Sequence, residues 1–171
     1  MKDAASPFAP IPPFDRRHPS TSFRVRGTEL RLDLLTPLVG RPRTAPVFVP
    51  ALGAAAQPLR FLDYLLDDPL HAALVGRDGV LVRIPGPARF ALHKLIVAAE
   101  RGELQQVKVQ KDLAQAEALL AVLVADRPGD LALAWEALAA RGTRWVARVR
   151  RSLARCDAAL VAQARRAGVE A

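Results

Sequence analysis

Residues 90–115, FALHKLIVAAERGELQQVKVQKDLAQ, decide the fold. Phe90, Leu92, Leu95 and Ile96 fall at helical spacing, and Gly102 ends that helix, which starts at Pro87. Val109, Leu113 and Ala116 resume the same spacing beyond the glycine, continuing through Leu120 and Leu123. Two consecutive helices therefore stand at the centre of the chain. The stretch also holds Lys94, Lys108 and Lys111, three of the chain's four lysines against 21 arginines. Lys is a compact ammonium on a flexible stem and Arg a planar fork. The concentration of lysine fits a point charge that meets a phosphate, and it equally fits a solvated helix face. Lys108, Lys111, Asp112 and Gln115 recur three and four residues apart, so they share one face of the second helix.

Downstream, Pro128 opens a third helix through residue 140, with Asp130 near its positive end. A last helix is expected over residues 143–167. Its apolar stripe is Trp145, Val149, Leu153, Cys156 and Leu160, and Arg144, Arg148, Arg151 and Arg155 form a neighbouring basic stripe. The net charge of +8 sits mostly here, because residues 141–171 carry eight arginines against Asp157 and Glu170. Such asymmetry points to an anionic partner, nucleic acid before a membrane surface, or to a soluble arginine-rich helix face.

Upstream the period changes to two. Phe23 and Val25 alternate with arginines, Leu30, Leu32 and Leu34 follow, and Gly27-Thr28 between them predicts a β-hairpin. Asp33 is unusual in such a strand. It is solvated if its face is open, which the period alone favours, and a candidate metal ligand if the face lines a cleft. Residues 47–50, VFVP, are a short strand candidate. Leu59, Leu62, Leu65 and Leu66 predict a helix over residues 57–67, with Pro58 in its first turn. Residues 72–75 and 80–84 flank GRDG, where Asp78-Gly79 is a hairpin turn signal. Residues 1–22 contain five prolines and predict an extended or disordered leader.

The fold class is therefore α+β: a small antiparallel β-sheet followed by a bundle of about four helices. Three regions are expected: a Pro-rich leader (1–22), a β-rich region (23–86) and a helical domain with a basic last helix (87–171). At 171 residues and 51% hydrophobic composition the chain can bury a core. A single cysteine, the lack of a signal-like apolar start and the lack of a membrane-length apolar run predict a cytoplasmic location. His18, His71 and His93 lack metal-ligand spacing, and His93 reads as a packing or polar-edge residue. No phosphate-binding glycine loop and no nucleophile elbow occurs. Cys156 reads as a small core residue whose thiol nearby cations would acidify only if it were exposed.

RLDLLTPL, PLRFLDYLL, GVLVRIPGPARFALHKLIVA and KVQKDLAQAEALL, in that order, resemble a bacterial nucleotidyltransferase family of the DNA polymerase beta-like superfamily. The chain is also similar to nucleotidyltransferase toxins of abortive-infection systems. The resemblance covers residues 22–140. It implies two-metal transfer of a nucleoside monophosphate from an NTP to an acceptor hydroxyl, with Mg²⁺ as cofactor and RNA or protein as acceptor. On that basis Asp33 matches a metal-binding carboxylate. Lys94 matches a phosphate-binding helix lysine. Lys111 and Asp112 match a segment lining the nucleotide site, with Lys108 and Gln115 on the same face. The Gly-Ser signature and the paired acids of the family do not precede Asp33. The resemblance therefore implies the C-terminal portion of such an enzyme: a truncated product, a misplaced start codon, or half of a split protein whose partner chain supplies the missing acids. Such a polypeptide is expected to be catalytically poor alone. A noncatalytic helical module that binds nucleic acid or a partner chain is the competing expectation. A third is that the lysine cluster and Asp33 are structural leftovers.

Overall fold

The computed structural model describes residues 7–76 and 79–171. Contacts divide the chain into two units, Met1–Asp63 and Tyr64–Ala171. The hairpin over residues 70–84 falls in the second unit with the helices.

The first unit is built from short strands. β1 (Phe8–Pro10), β2 (Ser22–Val25) and β3 (Arg31–Asp33) form an antiparallel sheet in that order. The expected β2–β3 hairpin is present, with Phe23 opposite Leu32 and Ser22 opposite Asp33. Gly27 takes a left-handed φ of 75° in its loop, and Thr28 Oγ1 donates to the Val25 carbonyl at 3.1 Å. Of the two states expected for the leader, extended or disordered, Phe8–Pro10 takes the extended one, as a strand. Pro10 is tolerated because β1 is an edge strand, where a missing N–H breaks no ladder.

β4 (Leu35–Pro37), β5 (Val47–Val49) and β6 (Ala54–Leu59) form a second sheet in the order β4-β6-β5. It is mixed, since β6 runs parallel to β4 and antiparallel to β5. The central strand buries Ala55 and Ala56. The helix expected over residues 57–67 is corrected. Gln57, Pro58 and Leu59 belong to β6, and the helix, α1, covers only Leu62–Leu66. Phe61 sits between them at a left-handed φ of 67°, which no right-handed helix can contain.

In the second unit β7 (Leu70–Leu74) and β8 (Val80–Ile84) pair antiparallel, with Leu70 opposite Ile84 and Leu74 opposite Val80. Asp78 of the expected Asp78-Gly79 turn lies outside the described residues; Gly79 has φ 56°. The helices follow: α2 (Pro87–Glu100), α3 (Gln106–Asp126), α4 (Pro128–Ala139), α5 (Thr143–Leu153) and α6 (Ala158–Arg166). Pro87 and Pro128 stand in the first turns, where the absent N–H would have been unpaired anyway. Leu92, Leu95 and Ile96 of α2 meet Val109, Leu113, Leu120 and Leu123 of α3 in the core. Leu131 and Leu138 of α4 and Val149 of α5 are equally buried, whereas Phe90 and Val97 are only half-buried.

The last helix is two, not one. The chain breaks after Leu153, and Asp157 caps α6 by accepting from the Leu160 N–H at 2.8 Å. Cys156 lies in this break, half-buried, its Sγ donating to the Ser152 carbonyl at 3.4 Å. Burial, aided by the Glu117 carboxylate, pushes its thiol up to about 11, so the surrounding arginines do not activate it.

Candidate functional site

α2 and α3 carry the polar centre of the second unit. Asp112 faces inward from α3 and is 3% exposed. Such a carboxylate is costly unless it is paired, and here both of its oxygens are. Lys94 Nζ of α2 donates to Oδ1 at 2.9 Å. Arg101 Nε, just past the end of α2, donates to Oδ2 at 2.7 Å. Burial raises the Asp112 pKa, but the hydrogen bonds from Lys94 and Arg101 outweigh it, and the group is held below the ordinary carboxylate value. Arg101 Nη1 also donates to Gln105 Oε1 at 3.0 Å, and Lys94 Nζ lies 5.1 Å from the Phe90 ring centroid.

Two cations on one carboxylate leave positive charge in excess. Lys108 and Lys111 add to it from the exposed side of α3. Gln115 is half-buried one turn on, and its Oε1 has no hydrogen-bond partner among the described residues. His93 is half-buried on α2. Lys94 and Asp112, both singled out from sequence, are thus brought into contact. Arg101 was missed: it stands eleven residues before Asp112 across a glycine break, where helical periodicity cannot link them.

Asp33 lies in the first unit and the lysines in the second. Its strand β3 is the edge of its sheet rather than an inner strand, and its side chain is 48% exposed. The Ser22 hydroxyl opposite donates to Oδ1 at 2.5 Å and Arg31 Nε to the same oxygen at 3.0 Å. The Ser22 hydrogen bond, reinforced by Arg31, holds the carboxyl below its usual value. The open-face alternative is the one the structure takes. Among the described residues no group of three or more His, Cys, Asp and Glu could hold a metal ion. One carboxylate with a guanidinium on it is not a donor set for a pair of Mg²⁺ ions.

The expected arginine stripe is divided. Arg144, Arg151 and Arg155 are exposed. Arg148 is turned inward, 15% exposed, with Nε donating to Glu100 Oε1 at 2.7 Å and Nη1 to the Arg144 carbonyl at 2.7 Å. It ties α5 to α2 rather than facing solvent. No helix among the described residues is long and apolar enough to cross a membrane.

A family model described as Nucleotidyltransferase matches residues 1–140. The chain belongs to this nucleotidyltransferase family, and membership implies a nucleoside triphosphate as substrate. No curated protein and no solved structure matches the chain. The matched region includes Asp33 and the whole Lys94–Arg101–Asp112 cluster, and it ends before α5.

Proposed function

We propose that the protein transfers a nucleoside monophosphate from an NTP to an acceptor hydroxyl on RNA or protein, with the α2–α3 face receiving the triphosphate. The observation that carries this reading is the charge balance of that face. One buried carboxylate is answered by two cations, and Lys108 and Lys111 stay exposed beside it within the family-matched residues. In the reaction the acceptor oxygen bonds to the α-phosphorus, the α–β bridging bond breaks, pyrophosphate leaves and the hydroxyl proton passes to solvent. Lys108 and Lys111 neutralise the phosphates. Asp112 orients Lys94 at the edge of the same site, and Gln115 offers a hydrogen-bonding group to the nucleotide.

The family resemblance assigns Mg²⁺ to this chemistry and Asp33 to the metal. The open face of Asp33 and the Arg31 guanidinium on it do not make a two-ion cradle, so no step of the reaction is assigned to Asp33. The polypeptide by itself is then a poor catalyst. A noncatalytic binding module is the second reading, favoured by the Arg31 guanidinium seated on Asp33.

Radiolabelled NTP offered with RNA and protein acceptors tests this. The comparison is between the chain alone, the chain extended by the reading frame preceding it, and the chain mixed with products of neighbouring genes. Label transfer in a completed mixture, with little from the chain alone, supports the enzyme. No transfer in any mixture, together with no NTP binding, leaves the noncatalytic module.

A further inference from the structure

Residues 141–171 lie beyond the family-matched region and hold eight arginines, no lysine and two acids. Two of the arginines are consumed internally. Arg148 pairs with Glu100, and Arg141 lies over the Tyr64 and Trp145 rings, 5.9 and 5.6 Å from their centroids. The other six, Arg144, Arg150, Arg151, Arg155, Arg165 and Arg166, are all exposed. None of the six is ion-paired with a carboxylate among the described residues. Asp157, one of the segment's two acids, is spent as the cap of α6.

These arginines are not on a loose tail. Val149 and Leu153 of α5, Ala164 of α6 and Val169 are buried, and Ser152 Oγ donates to the Leu95 carbonyl of α2 at 2.6 Å. The guanidinium groups are therefore displayed from a fixed base, which lowers the entropy lost when they bind. Arg144 and Arg151 lie two helical turns apart on one side of α5, about 10 Å along the axis, and Arg155 is exposed in the break that follows. The planar fork of arginine suits paired phosphate oxygens. A lipid surface is the weaker fit. An interfacial helix needs a large apolar face in the bilayer, and no large hydrophobic side chain beyond Leu133 is strongly exposed.

We infer that α5 and α6 form a docking surface for the phosphate backbone of a nucleic-acid strand, held without base readout. The inference rests on the nucleotidyl-transfer reading in one respect: it selects nucleic acid over protein as the carrier of the acceptor hydroxyl.

The test is equilibrium binding of the full chain to a fluorescein-labelled 20-nucleotide RNA, the same sequence as DNA, and vesicles containing phosphatidylserine. No NTP or Mg²⁺ is added, so failure of transfer and failure of docking are read separately. Strand binding should weaken linearly in log–log salt plots. R144A/R151A/R155A should lower affinity at least tenfold at low salt and reduce the slope by about 2, at roughly 0.7 per phosphate contact. R24A/R26A/R41A, which removes the same charge from exposed positions of the first unit, should leave most of the binding. Three results would overturn the assignment: no salt-dependent binding to either strand, equal losses in the two triple variants, or binding confined to the vesicles.

Discussion

Asp112 shows how a single residue can hold together a face that is otherwise all positive. Its carboxylate is nearly sealed from solvent, while Lys94 and Arg101 keep side-chain exposures of 21% and 25%. Asp112→Asn leaves both cations without a countercharge. The expected cost is about 3 kcal/mol, the low end for a broken buried pair because both partners reach water; urea unfolding measures it. The pH dependence follows from the same contacts. The folded pKa of Asp112 is depressed below 3.8, so its contribution is complete above that value and lost as pH falls through the folded one. Acid titration of stability should therefore show a steeper loss below pH 3.8 in the native protein than in the Asn variant. Lys108 and Lys111 make the opposite case. Both are exposed, so K108A/K111A should leave the melting temperature within a degree or so, yet weaken binding of a fluorescent NTP about tenfold or more.

At the scale of elements, α2, α3 and α4 run within a residue or so of the ends their spacing implies. Pro87, Gly102 and Pro128 punctuate them, and local signals suffice where proline and glycine stand at the joints. Other elements escaped, two of them for instructive reasons. The leucines at 59, 62, 65 and 66 mimic a helix, but Leu59 closes a parallel ladder with β4, where the Leu38 N–H donates to its carbonyl at 2.9 Å. A partner strand more than 20 residues upstream leaves no mark on local period. The break between α5 and α6 was hidden because apolar positions stay in phase across it. The one local clue was Asp157 three residues before Leu160, a cap signature. Asp157→Ala should cost about 1 kcal/mol and fray α6 first, seen as faster amide exchange at residues 160–162 than in α5.

For the molecule as a whole, the two units differ in how much they bury. The buried hydrophobic side chains of the first are few: Ala55, Ala56, Phe61 and Leu62. The second buries Leu92, Leu95, Ile96, Leu120, Leu123, Leu131 and Leu138. Local opening is easiest where buried apolar contact is sparse. Amides of β1–β3 should therefore exchange at lower denaturant than those of α2 and α3, as native-state hydrogen exchange would report. Coincident exchange of both sets would mean that the units unfold as one.

The sequence by itself determined the class of fold, the positions of the central helices, the lysine cluster and the concentration of charge beyond residue 140. Each of these is written in neighbouring residues, in period, punctuation or count. Only the tertiary structure decided that Asp112 is shared by Lys94 and Arg101, that Arg148 turns to Glu100, that Asp33 lies open beneath Arg31, and that β6 pairs parallel with β4. Those outcomes depend on which distant groups meet once the apolar faces are buried. Contact across a fold carries no repeat along the chain.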